Sequence, residues 1–150
     1  MKKFELTTDS IKRNGVTLYR IKSLIDFGDV KAGDFGGYVE KEENLSQSGD
    51  AWVYDNACVF GDACVCGDAC VSGNARVCGN ADYIYLKGFG SHNRSTTMFR
   101  TKGGNICVSC GCFSGTLQEF ESKVKETHGN NKFAREYLAL VEVAKIHFEV

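Results

Sequence analysis

Small and β-branched residues recur in a tandem six-residue pattern through the middle of the chain. From residue 49 the sequence reads GDAWVY, DNACVF, GDACVC, GDACVS, GNARVC and GNADYI, with no insertion between units. Alanine fills the third position of every unit, and valine fills the fifth position of the first five. Residues two apart share one face of an extended strand, so the pattern predicts short strands with alanine and valine inside. The Gly-Asp and Gly-Asn pairs predict the intervening turns.

A strand in every six residues is too closely spaced for a series of hairpins and predicts a solenoid with three short strands per coil. With these units, the chain resembles the hexapeptide-repeat proteins. That resemblance implies a left-handed parallel β-helix, and the handedness comes from it alone, because ordinary parallel crossovers are right-handed. We therefore expect a mainly β protein with an N-terminal β cap at 1–36, the β-helix at 37–84 and a C-terminal αβ appendage at 85–150.

The flanking segments carry local signals of their own. Asn14-Gly15 predicts a tight turn before a strand at 16–21, and the glycine cluster at 33–38 predicts a turn that enters the solenoid. A hairpin is expected from 96–100 and 105–110. Thr116 and Glu119 form a capping-box pattern, which predicts the first of two helices and hence a ββαα appendage. The combination is also similar to small proteins encoded by bacteriophages and prophages.

Outward positions of the repeat are unusually apolar. Trp52, Tyr54 and Phe60 are expected on the exterior, where monomers rarely expose such a patch. Two interpretations remain open: an oligomer interface, for which the resemblance favours a homotrimer, or a surface covered by the terminal segments.

Composition excludes several classes of function. The formal net charge of −1 and the lack of a basic stripe argue against double-stranded DNA binding. No apolar run is long enough to span a membrane, and residues 1–8 do not resemble a signal peptide. The eight cysteines are therefore expected as free thiols in a cytoplasm, that of the host cell if a phage encodes the chain. Cys107, Cys110 and Cys112 have metal-like spacing but lack a second ligand pair, so neither a metal nor a cofactor is predicted.

A candidate anion site lies in the segment GFGSHNRSTTMFRTKGG, residues 88–104. Guanidinium groups, hydroxyls and glycine-exposed backbone N–H groups are what phosphate recognition requires. Arg94, Arg100 and Lys102 are expected to hold phosphates. Further ligand contacts are predicted from Ser91, His92 and Thr96, and from Trp52 or Tyr54, which would stack on a base.

Three functions follow from these features. The favoured one is a non-catalytic phage-type protein that sequesters a phosphate-containing ligand, such as a host nucleotide immune signal, or blocks a host defence protein. The second is a coenzyme-A-dependent acyltransferase, which the hexapeptide resemblance implies, although such enzymes usually need a histidine base and all three histidines lie outside the repeats. The third is a structural or partner-binding module. The sequence identifies no catalytic residue, ligand or host target.

Overall fold

The computed structural model describes residues 2–91, 94–111 and 113–150. The α-helices are α1 (Leu117–His128) and α2 (Lys132–Phe148), and short 3-10 turns occupy Glu42–Asn44 and Asn80–Asp82. The strands are β1 (Phe4–Arg13), β2 (Val16–Ser23), β3 (Phe35–Val39), β4 (Trp52–Val53), β5 (Cys58–Val59), β6 (Cys70–Val71), β7 (Arg76–Val77), β8 (Tyr83–Phe89), β9 (Arg94–Arg100), β10 (Ile106–Cys110) and β11 (Phe113–Thr116).

Within the described residues, these strands form three sheets. A five-stranded mixed sheet has the order β1-β2-β3-β5-β7, with antiparallel pairing of β1 to β2 and β2 to β3 and parallel pairing beyond β3. A four-stranded sheet, in the order β11-β10-β9-β8, is antiparallel throughout. The strands β4 and β6 form a two-stranded parallel sheet.

The predicted left-handed parallel β-helix is therefore wrong, and with it the hexapeptide-repeat solenoid. Small separate sheets, one mixed, one antiparallel and one of two parallel strands, make up the described fold instead. The repeats contribute only two-residue strands, and the longest strands, β1 and β2, come from outside the repeats and pair antiparallel. Strands so short supply few hydrogen bonds, and in the five-stranded sheet β5 and β7 extend a sheet that the longer β1 and β2 begin. The C-terminal part also differs from the predicted ββαα arrangement, since four strands precede its two helices.

The alanines and valines of the first five units nevertheless face inward, as their spacing predicts, whereas Ala81 of the sixth unit is exposed in a 3-10 turn. The core residues of this set are at most 1% exposed: Ala51, Ala57, Ala63, Ala69, Ala75, Val53, Val59, Val65, Val71 and Val77. Parallel partners lie 18 residues apart in the pairs Trp52 with Cys70 and Cys58 with Arg76. No cysteine pairs with another in this register, and the cysteines at described positions are all free thiols.

The N-terminal segment covers one side of this core. Asn14 and Gly15 both have positive φ, of 52° and 78°, and form the predicted turn between β1 and β2. The glycine cluster behaves differently, because Gly36 and Gly37 lie within β3 rather than in a turn. No helix in the described ranges is long and apolar enough to cross a membrane.

The helix α1 begins with the predicted capping box. Thr116 Oγ1 accepts a hydrogen bond from the Glu119 N–H at 3.1 Å, and a Glu119 carboxylate oxygen accepts one from the Thr116 N–H at 2.9 Å. Buried Leu117, Phe120 and Val124 then form the inner face of the helix. The helix is thus fixed by local chemistry at its start and by packing along its length.

The Thr116→Ala variant is expected to lose about 1 kcal/mol of unfolding free energy, because the Glu119 N–H then lacks its acceptor. Urea denaturation followed by circular dichroism measures this loss. Ser122→Ala is the matched control, since Ser122 is exposed within the same helix and alanine favours helix there. Equal stability of Thr116→Ala and the wild type would contradict a stabilising cap.

Candidate functional site

The basic residues of the predicted anion site do not come together. Arg94 and Arg100 are the first and last residues of β9, which places their backbones about 20 Å apart. Lys102 follows in the turn before β10, near Arg13 and Arg76. A single phosphate cannot be held by all three residues, because the extended strand separates them.

The Arg100 guanidinium binds other groups of the same chain. Its Nε donates to Asp82 Oδ1 at 3.0 Å, its Nη2 donates to the Phe148 carbonyl at 3.3 Å, and its guanidinium lies over the Phe148 ring. Although burial raises the pKa of Asp82, hydrogen bonds from Cys78 and Arg100 hold it below its ordinary value overall. Arg100 therefore connects β9, the Asn80–Asp82 turn and the end of α2.

The two aromatic candidates differ in burial, because Trp52 lies in the core and Tyr54 is only partly covered. Trp52 is 1% exposed, and its ring meets those of Phe4 and Phe27 edge to face at 6.3 and 5.2 Å. Tyr54 is half-buried beside Cys70, and burial raises the pKa of its phenol. Trp52 is thus a core residue rather than a stacking partner for a base.

This packing bears on the two interpretations of the apolar exterior. Phe60 is 9% exposed and packs with Leu18 and Tyr38, while N-terminal residues cover Trp52. The terminal segments therefore cover these side chains within one chain. The homotrimer stays a prediction, but exposure of Trp52 and Phe60 no longer supports it.

Two members of the predicted site, Ser91 and Arg94, line a cavity of about 490 Å³ between the antiparallel sheet and the two helices. Its floor is aromatic and includes Phe113, Phe120 and Tyr137. The remaining polar lining comes from residues that the sequence did not single out for a site: Ser114, Lys123, Thr127 and His128. His92 lies outside the described residues.

The helices explain how these side chains converge. Phe120, Lys123, Val124 and Thr127 are three and four residues apart along α1, so they lie on one side of the helix. His128, the last residue of α1, stacks on Tyr137 of α2 at a ring distance of 6.1 Å. The junction of the two helices thus places an imidazole at the cavity.

Arg94 is positioned by a glycine. Gly111 has a positive φ of 58°, and a side chain there would collide with the Arg94 guanidinium. Across the residues with a described position, Arg94 has no ion-pair partner. Arg94 and Lys123 therefore bring positive charge to the cavity.

Below the aromatic floor runs a chain of hydrogen bonds. Thr96, which is buried, donates to Cys110 Sγ at 3.3 Å, Cys110 lies 3.7 Å from the Tyr137 hydroxyl, and that hydroxyl donates to the Phe89 carbonyl at 3.2 Å. Burial, followed by the contact with Cys110, raises the pKa of Tyr137. Tyr137 thus remains a neutral donor, and Thr96 supports the floor instead of contacting a ligand.

The described part of the chain contains no group of three His, Cys, Asp or Glu side chains placed to hold a metal ion. Cys107 and Cys110 alternate in exposure along β10, and Cys112 lies outside the described residues. The remaining described histidine, His147, has its Nε2 2.9 Å from the Ala81 carbonyl, away from the cavity.

Comparison with known proteins gives a similarity that covers a limited part of the chain. No protein-family model matches the chain. A stretch of 52 residues is 42% identical to YdcK, an uncharacterized acetyltransferase of Escherichia coli (strain K12). That stretch is 35% of this chain but only 16% of the relative. The expectation of a phage-encoded, anti-defence protein is corrected here, because neither the fold nor this match to a bacterial protein supports it.

Proposed function

We propose that the chain binds an acyl-coenzyme A in the cavity beside Arg94 and transfers the acyl group to a hydroxyl or amine acceptor. The observation that carries this proposal is the lining of the cavity, where Arg94, Lys123 and His128 surround an aromatic floor. The partial similarity to an acetyltransferase favours an acyl donor over other phosphate-bearing ligands.

The arrangement suits the two ends of such a donor. Arg94 and the exposed Lys123 provide guanidinium and ammonium groups for the diphosphate at the cavity rim. The pantetheine arm is flexible and largely apolar, and it would lie on Phe113 and Phe120. At about 490 Å³, the cavity is within the range of small-molecule sites and takes this arm with the thioester, leaving the adenosine outside.

His128 is the residue that we assign to the chemistry. As a general base it would take the proton from the acceptor's hydroxyl or amine. The acceptor oxygen or nitrogen then bonds to the thioester carbonyl carbon, the carbon–sulfur bond breaks, and coenzyme A leaves as its thiol with the proton returned from His128. The Tyr137 ring supports the imidazole by stacking, while its neutral hydroxyl donates to the Phe89 carbonyl.

Isothermal titration calorimetry with acetyl-coenzyme A tests the binding step. We expect the wild-type protein to bind, and Arg94→Gln to bind at least about tenfold more weakly, which corresponds to about 1.4 kcal/mol. Lys31→Gln is the matched control, since Lys31 is an exposed lysine of the N-terminal part and does not line this cavity. Absence of binding, or equal binding by Arg94→Gln, would contradict the assignment.

The catalytic step requires a separate measurement. Loss of the thioester absorbance of acetyl-coenzyme A reports slow hydrolysis, in which water replaces the acceptor. His128→Gln is expected to reduce this rate by about 100-fold while leaving the dissociation constant nearly unchanged. A protein that binds the thioester but shows no turnover above that of His128→Gln would be a binding protein only.

A further inference from the structure

A second cavity, of about 420 Å³, lies at the opposite end of β9 from Arg94. Three cationic side chains line it: Arg13, Arg76 and Lys102. They come from distant parts of the sequence, and none belongs to the lining of the acyl-donor cavity. The fold therefore brings these three side chains together.

Backbone pairing fixes the three positions. Arg13 is the last residue of β1, and Arg76 lies in the short edge strand β7. The Lys102 N–H donates to the Asn74 carbonyl at 2.9 Å, which holds the turn after β9 against the repeat. The side chains are therefore brought to the cavity by hydrogen-bonded backbone rather than by a loose loop.

Positive charge is in excess at this cavity. Over the described positions, none of the three cations takes part in an ion pair. One carboxylate, Asp55, also lines the cavity, but its Oδ2 accepts a hydrogen bond from the Gly73 N–H at 2.9 Å. The three positive charges repel one another, and a single carboxylate does not balance them. A bound anion would reduce this repulsion.

Arg13 and Arg76 both act on the thiol of Cys58, which also lines this cavity. Burial raises the pKa of Cys58, and the positive charges of Arg13 and Arg76 act in the opposite direction. Both guanidinium groups are thus close enough to the same thiol, at the cavity wall, to influence its ionisation.

We propose that this cavity binds a phosphate dianion, either as the free ion or as a phosphomonoester. Arg13 and Arg76 offer planar guanidinium groups that match phosphate oxygens, and Lys102 offers a third positive charge. The side-chain oxygen of Asn56, Oδ1, already accepts a hydrogen bond from Arg20 Nη2 at 3.0 Å. The side-chain N–H₂ group of Asn56 is therefore left as an additional donor. Several donors around one small cavity suit a compact ion with several acceptor oxygens.

Titration of the whole protein with inorganic phosphate, followed by backbone amide NMR, locates the site. We expect saturable shifts at Gly73, Asn74 and Lys102, which line this cavity, and smaller ones at Ser114, which lines the other. Lys102→Gln and Arg76→Gln should each weaken phosphate binding by at least about tenfold. Shifts that do not saturate, or that centre on Ser114, would overturn the proposal.

Two further comparisons complete the test. Phenyl phosphate that binds more tightly than inorganic phosphate identifies an ester as the ligand, whereas equal affinity identifies the free ion; binding of neither overturns the site. Arg94→Gln should leave phosphate binding here unchanged while weakening acetyl-coenzyme A binding. Failure of one site is therefore distinguishable from failure of the other.

Discussion

The Gly36→Ala substitution is expected to lower the unfolding free energy by about 3 kcal/mol. Gly36 is buried in β3, where an added Cβ would lie within 3 Å of the Val53 carbonyl oxygen and of side-chain atoms of Ile21 and Trp52. The carbonyl oxygen belongs to backbone that is fixed by pairing with β6, so it cannot rotate away as a flexible side chain would. The added methyl group must therefore displace β3 from the core.

Urea denaturation of the purified variant measures this effect. The matched control is Gly79→Ala, because Gly79 has an extended backbone, with φ of −158°, and nothing lies within 4 Å of an added Cβ. This control is expected to unfold within about 0.5 kcal/mol of the wild type. A Gly36→Ala protein as stable as Gly79→Ala would contradict the close approach of β3 to β4.

The contribution of Lys3 to the stability of the protein is expected to increase as the pH rises from about 8 to about 10.5. Lys3 is 1% exposed, its ammonium group donates to the Ala51 carbonyl at 2.8 Å, and it lies 4.9 Å from the centre of the Phe27 ring. Burial lowers the pKa of Lys3 to about 8, and the nearby Asp50 only partly opposes this. Between pH 8 and 10.5 Lys3 therefore keeps its proton in the unfolded chain and has lost it in the folded chain, so the contribution of Lys3 to stability increases with pH across this interval.

The size of the Lys3 effect is up to about 3 kcal/mol. Tyrosines and cysteines also titrate in this range, so the quantity to measure is the difference in unfolding free energy between the wild type and Lys3→Met at each pH. That difference should shift in favour of the wild type between pH 8 and 10.5. Lys2→Met, which removes the neighbouring exposed lysine, should follow the wild-type profile. A difference for Lys3→Met that is independent of pH would show that burial does not disfavour the charged form.

Local signals predicted local structure well. The Thr116 and Glu119 pattern correctly predicted the start of α1, and Asn14-Gly15 correctly predicted the first turn. Both depend on neighbouring residues alone, which a sequence displays directly. The inward placement of the repeated alanines and valines was equally accessible, because strand periodicity requires it.

The pairing of strands that are distant in the sequence could not be predicted in the same way. Nothing in the repeat indicates that the N-terminal hairpin continues its sheet, so the expected solenoid gave way to a mixed sheet. Trp52 was expected outside because its parity along the strand points away from the alanines. The aromatic residues Phe4 and Phe27, which cover it, were the available signal of a second packed layer.

The candidate site was only partly predictable for a related reason. Arg94 and Ser91 reach the cavity, but Lys123, His128 and Tyr137 come from helices whose packing on the sheet has no signature in a six-residue repeat. The signal for Lys123 and His128 was the polar side of an amphipathic helix, which usually faces solvent, whereas Tyr137 belongs to the apolar face of α2. Within one chain Arg94, Arg100 and Lys102 lie apart, because closeness in sequence along an extended strand does not mean closeness in space.

The position of β1 affects how the protein behaves in concentrated solution. β1 is a ten-residue strand at the border of its sheet, so one side of its backbone is available to a strand from another molecule. Glu5, Asp9, Lys12 and Arg13 lie along it, and its pairing with β2 is irregular between Leu6 and Ser10. An approaching strand would have to desolvate charges of both signs and follow a distorted backbone. This border therefore resists fibre-like growth by sheet extension, even though it is the longest exposed strand of the five-stranded sheet.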